Sequence, residues 1–597
     1  MSKRFTFIDL FAGAGGFSEG FLQAVQGDAR FDFLLASDIN ENCELTHLAR
    51  YNVQMGMDVE FLCKDITDPD FVPSLKKGVN GRDVDVVCGG PPCQSFSLAG
   101  KRRGSDKKDD LFRKYLDVIA ELRPKYFVME NVKGILTKDK GRVKRRIGEE
   151  IGGFFTLSTV RAFERRVNKA LSSGSRLEKA AMRLTVSKVA SSVAGAPKAA
   201  ELGVQSWGAS ILLLQEEWKA WTTRHVAYDE SKSGALVNTV RHGLLLLQDI
   251  PKMEGVRNEL IQIRHRARID NDAFVDEWED FMLGLTVEGV CNRVTWALEG
   301  LAQSKSKAAK AELERFGEVV TLLAGGWKDC LTWIGGTFEE DQSAWLTSKS
   351  EYTLCGPFVL NSRDFGVPQS RERVIFVGAR KDQVPIAGFE DSHQPPVSVA
   401  EALADLAGIG NGEVVKRYAD LPRAQSDFAK SARKGRLAEA GHSVRKPLYY
   451  RNMAAFDNGD GAGAELHNHE MSKQSETVIA RLDCIVQSGG YAEAQATLKK
   501  KGLTSKKRNY NLLDPEGVSP TVVTMPDDFV HYAEPRALTV REMARLQSFD
   551  DDFVFQGKRS TGGEKRAVEV PQYTLVGNAV PPLMAKGIAI ELLKKIQ

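Results

Sequence analysis

The chain is 597 residues long, 42% apolar and 27% charged, with a formal net charge of only +3. That length predicts two to four folding units, and the balance is that of a soluble globular protein. No apolar run is long enough to span a bilayer, residues 1–4 lead into a strand signal without a secretory pattern, and eight cysteines without a CxxC pair argue against a disulfide framework or a structural zinc site. A reducing, cytoplasmic setting with free thiols and no metal is therefore expected.

Short apolar runs at 5–10, 33–37, 60–62, 84–88 and 126–129 alternate with helical stretches, the pattern of an α/β domain with a mostly parallel sheet. A helix is predicted over 111–122, stopped by Pro124. From 142 to about 350 prolines become scarce and apolar residues recur at helical spacing, as at Val275, Trp278, Met282 and Leu285. This predicts a large helical insertion. Every tryptophan of the chain falls in it (Trp207, Trp218, Trp221, Trp278, Trp296, Trp327, Trp333, Trp345), and a place in its core is expected for them. Strand signals resume at 358–360 and 373–377, so the first domain is interrupted and then completed. Residues 390–530 read as irregular, with strand-like pieces such as 521–524. A helix is predicted over 538–549; the chain closes with 573–576, a tight turn over 577–582 and an amphipathic helix to Ile596. No internal repeat or long low-complexity tract is present.

Global charge does not announce a nucleic-acid partner; local charge says more, each cluster reading either as a solvated face or as a polyanion contact. Lys101, Arg102, Arg103, Lys107 and Lys108 form one basic cluster, and Lys499–Lys501 with Lys506, Lys507 and Arg508 another. Two further basic stretches run through 142–146 and 161–188.

The chemistry concentrates at predicted strand ends. The segment FIDLFAGAGGF (7–17) is a strand running into a glycine-rich turn and a helix, where a ligand can approach the backbone and free N–H groups. It departs from the G-x-G-x-x-G dinucleotide fingerprint, since Gly16 directly follows Gly15. The next strand ends at Asp38, suited to accept ribose hydroxyls, and the following one near Asp65 and Ile66, suited to an adenine edge and face. Together they describe a site for an adenosine-bearing cofactor. The apolar run 84–88 ends in Gly89-Gly90-Pro91-Pro92-Cys93, which sets a thiol at the C-terminal mouth of a buried strand. Glu130 follows the run 126–129 and brings a carboxylate to the same edge, and a thiol with a nearby proton donor is a chemical pair.

With these residues in hand, the chain resembles the DNA cytosine-5 methyltransferases of bacterial and phage type. FAGAGG (11–16) is similar to that family's cofactor loop, GGPPCQSFS (89–97) to its nucleophile motif and ENVKGI (130–135) to the motif of its glutamate. QSRERV (369–374) is similar to its paired arginines, and REMARLQSF (541–549) and GNAVPP (577–582) to its C-terminal signatures, all in the family's order. The resemblance covers roughly 1–140, 353–390 and 515–597. It implies a Rossmann-like domain that uses S-adenosyl-L-methionine, a smaller irregular target-recognition domain and a large helical insertion. The implied division is 1–141, 353–390 and 531–597 for the catalytic domain, 142–352 for the insertion and 391–530 for target recognition.

The resemblance also implies roles. Cys93 would add to C6 of a flipped-out cytosine, Glu130 would hold the N3/N4 edge and donate a proton, and Arg371 and Arg373 would brace the base carbonyl and the glutamate. The cofactor would lie among Phe11, Gly13, Ala14, Gly16, Asp38, Ile39, Asp65, Ile66, Gly90, Pro92, Leu111, Asn578 and Val580. Gln94, Ser95, Lys101, Arg102, Arg103, Lys506, Lys507, Arg508 and Thr521 would touch double-stranded DNA, with 94–110 as a closing lid. A monomer acting on DNA is expected, with a cognate restriction endonuclease as a candidate partner. The insertion departs from the family, and its expected role is added DNA backbone contact, partner binding or none. Asp550 is a smaller departure, standing where the family commonly carries proline after the phenylalanine. Transfer to tRNA, a catalytically silent DNA-binding relative and, more distantly, a dehydrogenase are the competing readings.

Overall fold

The computed structural model describes residues 3–92, 109–137, 144, 147–148, 151–152, 154–155, 157–170, 174–191, 197–225, 235–248, 287–303, 305–324, 327–333, 345–346, 348–389, 394–442, 465–505, 507, 510–560 and 569–596. Two compact units emerge: Met1–Pro92 with Leu122–Lys133 and Cys355–Gln597, and Cys93–Glu121 with Gly134–Leu354.

An eight-stranded sheet organises the first unit. Its strands are β1 (Lys3–Leu10), β2 (Val25–Gln26), β3 (Ala29–Asp38), β4 (Glu60–Cys63), β5 (Val86–Gly89), β6 (Tyr126–Val132), β7 (Tyr352–Asn361) and β8 (Glu372–Arg380), ordered β2-β3-β1-β5-β6-β8-β7 with β4 beside β3. The run β4-β3-β1-β5-β6 is parallel, while β2 is antiparallel to β3 and β8 to β6. Phe7, Leu35, Val86, Val87 and Phe127 are fully buried, because helices cover both faces of such a sheet and its central strands must be apolar throughout. Since β1 pairs with β3 on one side and β5 on the other, the chain leaves β1 in opposite directions. That makes a topological switch point, the crevice in which open α/β sheets hold ligands.

Helix Gly16–Gln23 follows β1 and packs against the C-terminal helix Pro582–Lys595. Its glycines permit the approach: a Cβ on Gly20 would stand 2.5 Å from both the Ala585 Cβ and the Pro582 carbonyl oxygen.

The strand runs are legible in the sequence, but several elements differ from it. The run 126–129 continues to Val132, so Glu130 lies inside β6; pairing with β8 carries the strand past its apolar part. Residues 390–530 are not merely irregular, for they contain helices Val399–Leu403, Asp427–Lys434, Glu476–Gln487 and Tyr491–Lys500. The first three each start on a serine (398, 426, 475) whose hydroxyl accepts a backbone N–H three residues on. The piece 521–524 forms no strand. The helix expected over 538–549 spans Val540–Leu546, and 573–578 is helical within Gln572–Asn578, so Gly577 and Asn578 close a helix instead of forming a turn.

The second unit is helical between its described ends, with helices Leu157–Ala170, Arg176–Ser191, Pro197–His225, Val287–Ala302, Lys307–Leu322 and Trp327–Trp333 and a helical stretch at 235–248. Phe163, Val167, Leu184, Ile211, Leu214, Val294 and Phe316 form its core. Trp218 and Trp221 stack there with ring centroids 5.3 Å apart. Trp296 departs from expectation at 64% exposed, because Val290, Val294, Ala297 and Leu301 supply the buried stripe of its helix. Val275, Trp278, Met282 and Leu285 lie outside the described residues, as does the side chain of Trp327. No helix among the described residues is long and apolar enough to cross a membrane.

Candidate active site

At the end of β1 the chain turns sharply. Phe11, Gly13 and Gly15 adopt left-handed backbone conformations (φ 56°, 54° and 91°), and the Gly15 N–H closes the turn onto the Ala12 carbonyl at 2.8 Å. The Ala12 N–H donates to the Ser37 carbonyl (3.0 Å) and the Gly13 N–H to Asp38 Oδ2 (3.0 Å), tying the glycine loop to the end of β3. Asp38 Oδ1 accepts the Asn40 N–H (3.0 Å), and burial raises the pKa of this carboxyl. The Cys43 thiol and the Ile39 N–H also hydrogen-bond to this carboxylate, which fixes its direction at the strand end.

Beside Asp38, Ile39 is 67% exposed. The β3–β4 register sets Asp38 opposite Cys63, which brings Asp65 and buried Ile66 to the same edge. Asp65 Oδ1 accepts the N–H (2.9 Å) and the hydroxyl (2.8 Å) of Thr67. A Cβ on Gly13 would meet no atom within 4 Å, whereas one on Gly16 would fall 2.0 Å from the Val580 carbonyl oxygen. The glycine loop is therefore open on one side and closed by the C-terminal signature on the other. Ala14 is buried in one cluster with Val576 and Ala579, and Asn578 is exposed at its helix end. Free space over a glycine, an exposed apolar side chain and two carboxylates at adjoining strand ends fit an adenosine-bearing group.

The neighbouring strand end carries the second half. β5 finishes at Gly89, and after Gly90 the Pro91 carbonyl accepts Asn131 Nδ2 at 3.1 Å, so Asn131 anchors the two-proline turn. Pro92 is exposed; Cys93, Gln94, Ser95, Lys101, Arg102 and Arg103 lie outside the described residues. A Cβ on Gly90 would stand 3.2 Å from Glu130 Oε2, so glycine there lets the backbone lie against the carboxylate. Glu130 Oε1 pairs with Arg373 Nε at 2.7 Å, the side chains being 14% and 13% exposed. Glu130 faces Ile375 in the antiparallel register and Arg373 faces Val132, so the ion pair is a diagonal contact on one face.

Arg371 lies deeper, at 4% exposed. Its backbone N–H donates to Asn361 Oδ1 and Ser362 Oγ (3.1 Å each) and its Nη1 to the Val522 carbonyl (3.2 Å), while its Nε has no hydrogen-bond partner among the described residues. Burial, with Arg373 adding to it, lowers the Arg371 pKa to about 9 against the pull of Glu130.

Several residues that position the site escaped the sequence reading. Gln369 Oε1 accepts the Val522 N–H (2.6 Å), Gln369 Nε2 donates to Gln547 Oε1 (2.8 Å), and Gln547 Nε2 donates to the Val576 carbonyl (2.8 Å). This buried amide chain joins the paired-arginine segment to the first C-terminal signature and, through Gln547 Nε2 donating to the Ala579 carbonyl (3.5 Å), to the second, and both glutamines stood inside quoted motifs. Asp9, under the glycine loop, accepts the Ser18 hydroxyl (2.7 Å) and N–H (3.2 Å), and burial pushes its carboxyl up to about 7. No residue pattern had marked it.

The outer residues separate. The Thr521 hydroxyl donates to the Ser370 carbonyl (2.9 Å). Lys507 is ion-paired with Asp528 (3.2 Å) and Asp527 (3.5 Å), while Lys506 and Arg508 lie outside the described residues. Leu111 sits in helix Asp109–Leu122, in the second unit. Among the described residues no group of three or more His, Cys, Asp or Glu could hold a metal ion. Asp550, standing where a proline was expected, accepts the Arg436 backbone N–H (2.7 Å) and pairs with its guanidinium.

Residues 5–154 and 348–594 match the model of the C-5 cytosine-specific DNA methylases. The Type II methyltransferase M1.HphI of Haemophilus parahaemolyticus is 39% identical over 592 residues, 99% of this chain and 87% of the relative. M.XorII of Xanthomonas oryzae pv. oryzae is 42% identical over 149 residues (25% of this chain, 32% of the relative), and M.DdeI of Desulfomicrobium norvegicum 29% identical over 254 residues (40% and 54%). The match therefore spans about a third and about half of the length of those two. On the family match across both arms of the sheet, and on the 39% identity along nearly the whole chain, this protein belongs to the C-5 cytosine-specific DNA methylase family.

Proposed function

We propose that this protein transfers a methyl group from S-adenosyl-L-methionine to C5 of cytosine in duplex DNA, within a short recognition sequence. The supporting geometry is one juxtaposition: the glycine loop after β1 and the Gly90 backbone after β5 end adjacent strands at the switch point, with the Glu130–Arg373 pair against Gly90. Phe11–Gly16, Asp38, Ile39, Asp65 and Ile66 would hold S-adenosyl-L-methionine, which would supply an electrophilic methyl group.

Cytosine C5 is a poor nucleophile until C6 carries an added group. In this reading the Cys93 thiolate adds to C6, making C5 electron-rich. Glu130 holds the N3/N4 edge and donates a proton to it as C6 is attacked. Arg373 fixes the direction of that carboxylate through its 2.7 Å contact, and Arg371, with a spare N–H, braces the base carbonyl. Methyl transfer releases S-adenosyl-L-homocysteine; the C5 proton then passes to water, Cys93 leaves as a thiolate as the C5=C6 double bond is restored, and the proton on the base returns to Glu130. The base must leave the stack for any of this to occur.

Residues 391–530 would read the sequence, with Gln94, Ser95, Lys101, Arg102 and Arg103 on the DNA beside the thiol. The three relatives are named Type II methyltransferases, which favours a modification enzyme with a cognate endonuclease; a cytoplasmic monomer is the form in which we propose it acts. The test is incubation with methyl-labelled S-adenosyl-L-methionine and either duplex DNA or tRNA. Label in DNA is expected, and Cys93→Ala abolishes it while cofactor binding persists. Label confined to tRNA, or full activity of Cys93→Ala, would overturn the reading.

A further inference from the structure

Residues 155–347 fall between the two matched segments, and methyl transfer assigns them no task. Their first two described helices carry an unusual charge pattern. Helix Leu157–Ala170 buries Val160, Phe163 and Val167 and exposes Arg161 and Arg165, four residues apart. Helix Arg176–Ser191 packs against it and is almost enclosed, burying Ala180, Met182, Leu184 and Val186. Its half-buried cations Lys179 and Arg183 are again four residues apart.

None of these four cations has an ion-pair or hydrogen-bond partner among the described residues. Three acids of the same unit are engaged with other cations: Glu217 with Arg176 and Arg224, Glu312 with Arg224 and His225, and Glu178 with Arg315, while Glu164 on the first helix forms no ion pair with Arg161 or Arg165 among the described residues. Residues 157–191 hold eight Lys and Arg against two Glu, an excess larger than the +3 of the whole chain. Like charges four apart on a helix repel by a few tenths of a kcal/mol, so the two bare pairs lower the stability of their own helices. A regular polyanion relieves that repulsion, and it is the substrate class of this protein's family.

We propose that the helix pair Leu157–Ala170 and Arg176–Ser191 is a DNA-backbone contact surface, on which Arg161, Arg165, Lys179 and Arg183 take phosphates of duplex DNA independently of base sequence. This rests on the reading of the protein as a DNA methyltransferase and adds a second electrostatic hold outside the family's own segments. Phosphate contacts set register and affinity without specifying bases, so their loss is uniform across sequences.

The test is fluorescence anisotropy of labelled duplexes, with and without the target sequence, across a range of NaCl concentrations. Each phosphate contact contributes about 0.9 to the slope of log K against log salt. Arg161→Gln with Arg165→Gln should therefore flatten the slope by about 1.8, and adding Lys179→Gln with Arg183→Gln by about 3.6 in all. The affinity loss should be equal on both duplexes, with kcat at saturating DNA unchanged. Arg161→Lys with Arg165→Lys should restore the wild-type slope, which separates charge loss from misfolding. An unchanged slope, a loss confined to target-bearing DNA, or a loss seen with RNA and not with duplex DNA would overturn the proposal. Methyl transfer by the wild type, read separately, tells its failure from failure of the methyltransferase reading.

Discussion

Arg373→Ala tests whether the Glu130 carboxylate needs its partner in order to work. The 2.7 Å contact joins side chains only 13–14% exposed, so solvent screens it little, and a hydrogen bond between charged groups is worth about 1.5–3 kcal/mol. If that interaction serves the transition state, kcat/KM falls by about 10- to 150-fold. Arg371 makes no hydrogen bond or ion pair to Glu130 among the described residues, its Nη1 being held by the Val522 carbonyl. The decisive measurement is the double-mutant cycle with Glu130→Gln, read by single-turnover transfer of labelled methyl to duplex DNA, with cofactor affinity by calorimetry as the control for folding. Since Arg373 acts through Glu130, Arg373→Ala should cost almost nothing further once Glu130→Gln is present. Should it cost the same factor in both backgrounds, the two residues act independently and the positioning role assigned to Arg373 is wrong.

Two glycines of the cofactor loop should respond in opposite ways. Gly16→Ala drives a methyl group against the Val580 backbone and should lower Tm through about 1–3 kcal/mol of overpacking, whereas Gly13→Ala meets open space and loses mainly the roughly 1–2 kcal/mol of its left-handed φ while weakening S-adenosyl-L-methionine binding more than stability. Equal effects on Tm and on cofactor affinity in both variants would contradict that division. Asp9 should give the protein a pH signature: its native pKa of about 7 lies above the unfolded value of 3.8, so between these the native state holds the extra proton and stability falls as pH rises, by on the order of 4 kcal/mol in all. Urea midpoints at pH 4.5 and 7.5 check this, and an Asp9→Asn variant keeping the wild-type difference would show that another group is responsible.

What the sequence made legible follows from burial. A parallel sheet covered on both faces needs unbroken apolar runs, and those runs with their glycine ends marked where β1, β3 and β5 finish. Less legible was any strand held by pairing instead of by apolar residues. Glu130 reads as a residue after a strand, yet the ladder with β8 carries β6 through it to Val132, and that ladder fixes Arg373 diagonally opposite. The partner strand lies some 240 residues away in sequence, beyond reach of any local pattern. The helices of 390–530 failed for the converse reason: they are short and half-exposed, so hydrophobic period says little, and their only strong signal is the serine caps at 398, 426 and 475.

Residues 550–552 invert the ordinary reading of charge. Three consecutive aspartates look like a solvated surface run, and all three are buried. Each meets an arginine from a different part of the chain: Asp550 meets Arg436, Asp551 meets Arg545 (2.5 Å), and Asp552 lies 3.1 Å from Arg50, which also holds Glu19 (2.7 Å). Arg545 and Arg433 in turn share Asp405 (2.6 Å each). The helix after the glycine loop, the signature helix Val540–Leu546 and the 405–436 segment are thus joined through alternating charge. Such a cluster is not an efficient source of stability, since desolvation offsets most of the attraction; its members are costly to remove singly, at about 3–5 kcal/mol, because the survivor is left charged in the interior. That asymmetry accounts for Asp550. The proline common at this place in the family has no charge to offer, and in this chain it would leave Arg436 buried without its counter-ion. In this chain Asp550 and Arg436 therefore depend on one another, a dependence that shows only when the two ends of the pair are brought together.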